Sequence, residues 1–121
     1  MHELFVTEQI RDIAVRHAEN AGAARVTNLY LVIGELSSIV DDSVQFYWDF
    51  VSEGSIAEGA QLHFRRIPAE MVCQGCGTHF SPREALTCPA CDGSDVRVVA
   101  GEEFFLEAID VAEVKERDSD R

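Results

Sequence analysis

All four cysteines of the chain belong to two Cys-x-x-Cys pairs, Cys73/Cys76 and Cys88/Cys91, which are separated by eleven residues. Tetrahedral zinc needs four soft donors, and two short turns facing each other across a hairpin supply four thiolates with little backbone strain. Gly77 directly follows the first pair, where a tight turn favours a residue with free φ angles. The pattern therefore predicts a zinc-ribbon module with a structural metal ion.

Other interpretations of two Cys-x-x-Cys pairs have less support in this sequence. Two disulfides or a redox-active pair would need a secretory signal or a surrounding βαβ pattern, and the sequence has neither. Iron in a four-thiolate site is the alternative that remains, because tetrahedral sulfur suits both metals. No stretch approaches the roughly 20 apolar residues of a membrane span. With reduced cysteines, these observations predict a cytoplasmic protein.

The charge balance limits the partners. Twenty-two acidic residues outnumber ten basic ones, which gives a formal net charge of −12. Phosphate neutralisation needs a patch of Lys and Arg, whereas the segment between Cys73 and Cys91 holds a single basic residue, Arg83. Nucleic-acid binding is therefore disfavoured, and an acidic surface suits a protein partner or a cation.

Hydrophobic periodicity predicts two helices and three strands around the cysteine pairs. The helices cover about residues 4–21 and 41–54, and the strands cover about residues 26–36, 61–67 and 103–111. The last strand has no partner inside a ribbon closed by its metal, so it is expected to return to the first two. The fold class is α+β, a three-stranded sheet covered by two helices with an inserted zinc-ribbon module. The domains are a body of residues 1–70 plus 100–114, a ribbon insert of residues 71–99 and a polar tail of residues 115–121.

Each predicted helix carries an apolar stripe. In the first helix the stripe consists of Val6, Ile10, Ile13, Ala14, His17 and Ala21. In the second it consists of Val44, Tyr47, Trp48 and Val51, with Phe46 and Phe50 beside it. The acidic pair Asp41 and Asp42 is predicted to cap the second helix, because carboxylates stabilise free N–H groups at a helix start.

The chain begins Met1-His2-Glu3, and a histidine in second position can chelate a metal. The α-amino nitrogen, the backbone nitrogen of His2 and its imidazole Nδ1 can close fused rings on one ion. A carboxylate such as that of Glu3 would complete a planar set, which favours Ni(II) or Cu(II) over Zn(II). The same letters also arise by chance, and a terminal histidine is commonly only solvated.

The other histidines are weaker candidates. His17 is predicted to be a core or rim residue with a hydrogen-bond partner, and His63 falls on the polar face of a strand. His79 could replace a thiolate, but four cysteines already saturate zinc. Neither a Ser/His/Asp set nor a phosphate loop nor a paired-carboxylate site stands out, so no enzyme is predicted.

Taken in order, these features resemble the hydrogenase nickel-incorporation proteins, HypA and its paralogue HybF, over about residues 1–112. The resemblance rests on Met1-His2-Glu3, the segment Gly34-Glu35-Leu36-Ser37, a helix with Ser43, Phe46 and Tyr47, both cysteine pairs and a final strand.

The resemblance implies a metallochaperone that works with a partner GTPase. It would deliver Ni(II) to the precursor of the [NiFe]-hydrogenase large subunit, as a monomer or weak homodimer. His2 then inherits the nickel-ligand role and Glu3 a supporting one, while the cysteines inherit zinc. Val40, followed by Asp41, occupies the position where some members carry an acidic ligand. A zinc-ribbon adaptor that binds proteins and handles no transition metal is the alternative function.

Overall fold

The computed structural model describes residues 3–114. Its elements in chain order are two helices, α1 (Glu3–Asn20) and α2 (Asp41–Val51), and six strands, β1 (Ala23–Gly34), β2 (Gln61–Ile67), β3 (Glu70–Cys73), β4 (His79–Phe80), β5 (Val96–Ala100) and β6 (Phe104–Val114). One sheet has the strand order β2-β1-β6 and the other has the order β4-β3-β5. The predicted α+β class, with a three-stranded sheet, two helices and an inserted ribbon, is confirmed. The polar tail lies outside the described residues.

The buried face of α1 differs from the predicted stripe. Its buried side chains recur at spacings of three and four, at Glu3, Thr7, Ile10, Ala14 and Ala18. The prediction was right for Ile10 and Ala14 but wrong for His17 and Ala21, which are exposed. The polar Thr7 is tolerated inside because its hydroxyl donates to the Glu3 carbonyl, so this buried hydroxyl has a partner.

The apolar stripe of α2 is confirmed, but the predicted cap is wrong. Val44, Trp48 and Val51 are buried. The N-cap residue is Val40, which has no oxygen in its side chain, and both aspartates lie within the first turn. The Asp42 N–H donates to Asp41 Oδ1 over 2.9 Å, so a carboxylate stabilises a first-turn N–H from inside the helix rather than from its cap.

Two hydrogen bonds align α1 and α2. The Val40 N–H, where α2 begins, donates to Glu3 Oε2 over 3.3 Å. Arg11 Nη1, two turns further along α1, donates over 2.8 Å to the carbonyl of Val51, where α2 ends. The helices therefore run side by side in the same direction. The arginine also places a positive charge at the negative end of the α2 dipole, which is the favourable sign.

The chain divides into two compact units. The first consists of the described residues up to Leu31, of Ile39–Arg65 and of the described residues from Phe105 onward; the second consists of Val32–Ser38 and Arg66–Phe104. The first unit has a core around Trp48, whose ring nitrogen donates to the Ala60 carbonyl over 3.1 Å. In β1 the consecutive residues Leu31, Val32 and Ile33 are all buried, so burial does not alternate at the end of this strand.

The second unit is built on short antiparallel strands. β3 pairs with β4 through Met71 and Phe80, and with β5 through Cys73 and Val96. Two linking segments of this unit pack closely on Gly34. A Cβ atom built on Gly34 would lie 2.1 Å from the Gly101 carbonyl oxygen, so no side chain fits there without a backbone shift.

Replacing Gly34 with Ala should lower the free energy of unfolding by about 3 kcal/mol, the upper range for overpacking, because the clash is with backbone. Gly54→Ala is the control: its φ is +82° but nothing lies within 4 Å of the new Cβ, so only a conformational cost of about 1 kcal/mol is expected. Urea denaturation followed by far-UV circular dichroism measures both. A smaller loss for Gly34→Ala than for Gly54→Ala would contradict the close packing.

Candidate metal centre

The two cysteine pairs form turns with the same hydrogen bonds. In the first turn the Cys73 carbonyl accepts the Gly77 N–H over 2.8 Å, and the Cys73 N–H donates to the Thr78 carbonyl over 2.9 Å. In the second turn the Cys88 carbonyl accepts the Asp92 N–H over 2.7 Å, and the Cys88 N–H donates over 2.8 Å to the carbonyl of the residue after Asp92. The sequence thus folds twice into one turn type.

Both turns need a left-handed residue one position after the second cysteine. Gly77 fills it in the first turn with φ of 82°, and Asp92 fills it in the second with φ of 67°. Apart from glycine, aspartate is one of the few residues that are found often in the left-handed region. The glycine was visible in the sequence, whereas the equivalent role of Asp92 was missed.

The two turns bring the four sulfur atoms together. The ligand atoms of Cys73, Cys76, Cys88 and Cys91 all lie within 4.8 Å of one another. The Sγ atoms of Cys73 and Cys91 are 3.6 Å apart, and those of Cys76 and Cys88 are 3.5 Å apart. These distances are far beyond the roughly 2.05 Å of a disulfide bond. They are close to the edge of about 3.8 Å expected for a sulfur tetrahedron with metal–sulfur bonds of about 2.3 Å.

The four cysteines differ in burial. Cys73 and Cys88, the first of each pair, are buried, whereas Cys76 and Cys91 are exposed. The buried two belong to the small core of the second unit, together with Met71 and Phe80. A metal bound by all four cysteines would therefore link, in each pair, a buried residue of this core to an exposed residue at the surface.

Neighbouring groups shift the pKa values of the two exposed thiols, Cys76 and Cys91, in opposite directions. The pKa of Cys76 is lowered to about 6, first by the hydrogen bond from the Thr78 hydroxyl and then by the Thr78 backbone and Cys88. The Thr78 Oγ1 atom lies 3.1 Å from the Cys76 sulfur. For Cys91, a backbone bond from Gly93 acts to lower the pKa, but the surrounding cysteine sulfurs outweigh it and raise the pKa to about 12.

These opposed pKa shifts describe a cluster that shares protons. Like charges this close cannot all ionise in the absence of a cation, so some thiols keep their protons. A divalent metal replaces those protons and holds every cysteine as thiolate. Four soft donors at tetrahedral spacing with no open position are typical of a structural rather than a catalytic metal site.

Glu35, from the segment Gly34–Ser37, braces the same unit. Its Oε1 atom accepts the Ala69 N–H over 2.7 Å, and its Oε2 atom accepts from Arg83 Nε over 2.5 Å. The Ala69 bond and then the Arg83 guanidinium hold the pKa of Glu35 below its ordinary value. Arg83, the one basic residue between the cysteine pairs, therefore pairs with a carboxylate of this chain.

The described part of the predicted nickel site is Glu3. Glu3 is only 5% exposed, and its carboxylate is held at the Val40 N–H. The two groups meet although Glu3 and Val40 are 37 positions apart in the sequence. His2 lies outside the described residues.

The remaining histidines lie elsewhere. His17 is exposed and lines a groove with Ile13 and Ile109, so of the two predicted positions, core or rim, the core position is excluded. His63 is exposed on β2, as predicted, and its Nε2 atom lies 2.7 Å from Asn28 Oδ1. His79 is paired through Nδ1 with Glu70. Within residues 3–112 the four cysteines form the one group of three or more such ligand side chains close enough to share an ion.

Comparison with known proteins identifies the family. The family model for hydrogenase/urease nickel incorporation metallochaperones, HypA, matches residues 1–111. A hydrogenase maturation factor HypA from Dehalococcoides mccartyi is 46% identical over 112 residues, covering 92% of this chain and 94% of that protein. One from Caldanaerobacter subterraneus is 41% identical over 113 residues, covering 92% and 99%. The family model describes metallochaperones, and the relatives are hydrogenase maturation factors; proteins of this class are carriers and not enzymes. The chain belongs to the HypA family.

Solved structures agree on the fold. The solution structure of the Ni metallochaperone HypA from Helicobacter pylori superposes with a TM-score of 0.64 at 22% identity, covering 92% of this chain and 97% of that one. A second solution structure of a HypA protein gives a TM-score of 0.72 at 23% identity, covering 93% and 97%. At these identities the likeness shows a shared fold. No helix among residues 3–114 is long and apolar enough to cross a membrane.

Replacing Cys73 with Ser should remove metal from the cysteine centre and unfold the second unit. Structural zinc supplies about 10 kcal/mol or more of folding free energy in isolated zinc-finger peptides, and serine is a poor replacement for thiolate. The single tryptophan, Trp48, is buried in the first unit, so its fluorescence should change little. Metal per chain by mass spectrometry and Trp48 emission test this.

Thr78→Val is the matched control for that experiment. The Thr78 hydroxyl contacts the Cys76 sulfur but is not a metal donor, so this variant should keep its full metal content. A Cys73→Ser protein that still held one tightly bound metal ion per chain would contradict the four-cysteine centre.

The affinity of the cysteine centre for zinc should fall as the pH falls. At pH 7 the metal must displace the proton of Cys91, whose pKa is about 12, whereas Cys76, with a pKa of about 6, is already ionised. Below about pH 6 the metal must also displace the proton of Cys76, so the decline should steepen there. Chelator competition between pH 8 and pH 5.5 measures it.

The Thr78→Val variant tests the cause. Removing the hydroxyl should raise the pKa of Cys76 and move the steepening to higher pH. An affinity independent of pH over this range would rule out proton displacement at the centre.

Proposed function

We propose that this protein binds Ni(II) through His2 and delivers it to the precursor of the [NiFe]-hydrogenase large subunit, together with a partner GTPase. In this proposal the four cysteines hold zinc, and handover takes place in the cytoplasm. The proposal keeps the predicted assignment of nickel to the body and of zinc to the ribbon insert. It rests on membership of a family described by nickel incorporation, on the chelating chemistry of a second-position histidine and on the position of Glu3.

The buried carboxylate of Glu3 is the observation that carries the proposal. A carboxylate that is 5% exposed and bonded to the Val40 N–H has a fixed direction, which favours ligation because little side-chain freedom remains to be lost. The bond also places Glu3 beside the backbone that leads into Asp41. Glu3 directly follows His2, the residue with the chelating imidazole, in the sequence.

Two different donor sets would keep the two metals apart. Nitrogen-rich, planar coordination suits Ni(II), whereas a closed tetrahedron of thiolates suits Zn(II). A cargo metal must also leave, so its site should be open and of moderate affinity. The cysteine centre is closed by its four donors, which suits a resident metal instead.

Replacing His2 with Ala should weaken Ni(II) binding at least tenfold, or about 1.4 kcal/mol, and leave the metal of the cysteine centre in place. The imidazole is lost from a chelate whose other nitrogens belong to the backbone. His63→Ala is the matched control, because His63 is exposed on β2 and should leave nickel affinity unchanged. Isothermal titration of protein that begins at Met1 measures both variants, with metal analysis alongside.

A Gly-Ser extension before Met1 should act like the His2 change, because it moves the free amine away from the imidazole. The same titration separates the proposal from the alternative of a zinc-ribbon adaptor, which would take up no Ni(II) beyond the metal of the cysteine centre. An unaltered affinity in both the His2→Ala and extended proteins would remove His2 from the site.

A further inference from the structure

One face of α2 carries large apolar side chains that nothing in the first unit covers. Phe46 is 75% exposed and Phe50 is 68% exposed, and they are one helical turn apart. At a rise of 1.5 Å per residue their backbone positions are separated by about 6 Å along the axis. The residues of α2 that share this face are Asp42, Gln45, Phe46, Asp49 and Phe50, all exposed. We call this set the α2 aromatic face.

The helix that carries this face is held firmly. Its opposite side buries Val44, Trp48 and Val51 in the core. The ring of Phe46 meets that of Tyr47 edge to face, with centroids 5.2 Å apart and an interplanar angle of 74°. An aromatic pair of this kind restrains the ring, so less side-chain freedom remains to be lost on contact with a partner.

The charged side chains of α2 itself are all acidic. Asp42 and Asp49 share the face with the two rings, and the α2 segment Asp41–Val51 contains neither Lys nor Arg. The positive charge of Arg11, which is bonded to the Val51 carbonyl at the end of α2, is paired with Asp12. An apolar strip bordered by carboxylates is complementary to an apolar strip bordered by Lys and Arg. Two copies of this acidic face would repel each other. An anionic lipid surface would also repel a chain whose formal net charge is −12.

We propose that the α2 aromatic face docks a basic amphipathic helix of another protein. Apolar side chains of the partner, spaced by three and four residues, would lie along Phe46 and Phe50, and its flanking Lys or Arg would approach Asp42 and Asp49. Helix packing of this kind matches the spacing of two rings one turn apart. The proposal is independent of nickel binding, because it uses neither the cysteines nor the N-terminal residues.

Three synthetic peptides of equal length provide the probes. The first has Leu at positions spaced by three and four, flanked by Lys; the second has the same Leu pattern flanked by Glu; the third has the composition of the first in scrambled order. Fluorescence polarisation of labelled peptides against the full chain should show binding of the first alone. Equal binding of the scrambled peptide would mean nonspecific attraction to an acidic protein and would overturn the proposal.

Variants then locate the binding. Phe46→Ser and Phe50→Ser should each weaken binding of the Lys-flanked peptide at least tenfold, whereas Leu86→Ser should not, although Leu86 is 77% exposed. The double change Asp42→Asn and Asp49→Asn should weaken binding and reduce its salt dependence. Glu19→Gln with Glu102→Gln removes two exposed charges elsewhere and should leave the affinity unchanged.

The remaining outcomes each decide the matter. Equal effects of Leu86→Ser and Phe50→Ser would overturn the proposal, as would undetectable binding of the Lys-flanked peptide at millimolar concentration. Sedimentation of the protein without peptide tests whether a second copy of this chain occupies the face. A dimer that is abolished by Phe50→Ser would assign the face to self-association and would also overturn the proposal. Unchanged Trp48 emission in the variants is required, since it shows that the buried side of α2 is intact.

Discussion

Four sulfur atoms within 4.8 Å of one another can all be ionised only around a cation, and the second unit depends on this constraint. Cys73 and Cys88 are two of the four buried residues in a hydrophobic cluster of that unit, so this cluster and the metal centre share atoms. Its strands are short, β4 having only two residues. Without metal, protons would remain on sulfur, and the turns would lose the contact that closes them. Metal binding and folding are therefore coupled in this unit.

The first unit does not share that dependence. Its core is built from Trp48 and the aliphatic residues of α2 and β1, and hydrogen bonds from Val40 and Arg11 fix both ends of α2 against α1. The carboxylate of Glu3 is thus part of helix packing as well as of the proposed nickel site. A ligand that already serves as a packing contact is held in place before the metal arrives, which lowers the entropic cost of binding.

Local patterns in the sequence were enough to predict the cysteine centre, both helices and the three strands of the first sheet, because spacing and periodicity act over short distances. Features set by distant contacts were not predictable. The bond from the N–H of Val40, the N-cap residue of α2, goes to Glu3, 37 residues earlier. The closeness of Gly34 and Gly101 follows from chain packing, which no single segment reveals.

The net charge of −12 attracts cations in general but selects none. At physiological ionic strength the field of exposed charges is screened beyond about 8 Å, and abundant Mg²⁺ is drawn as strongly as Ni(II). Selection must therefore come from atoms in direct contact with the ion, which are thiolates in the ribbon and, in the nickel site that we propose, nitrogen donors at the N-terminus. The same reasoning applies to a protein partner. Carboxylates beside Phe46 and Phe50 can guide a basic segment over a short range, while the two rings determine which segment stays.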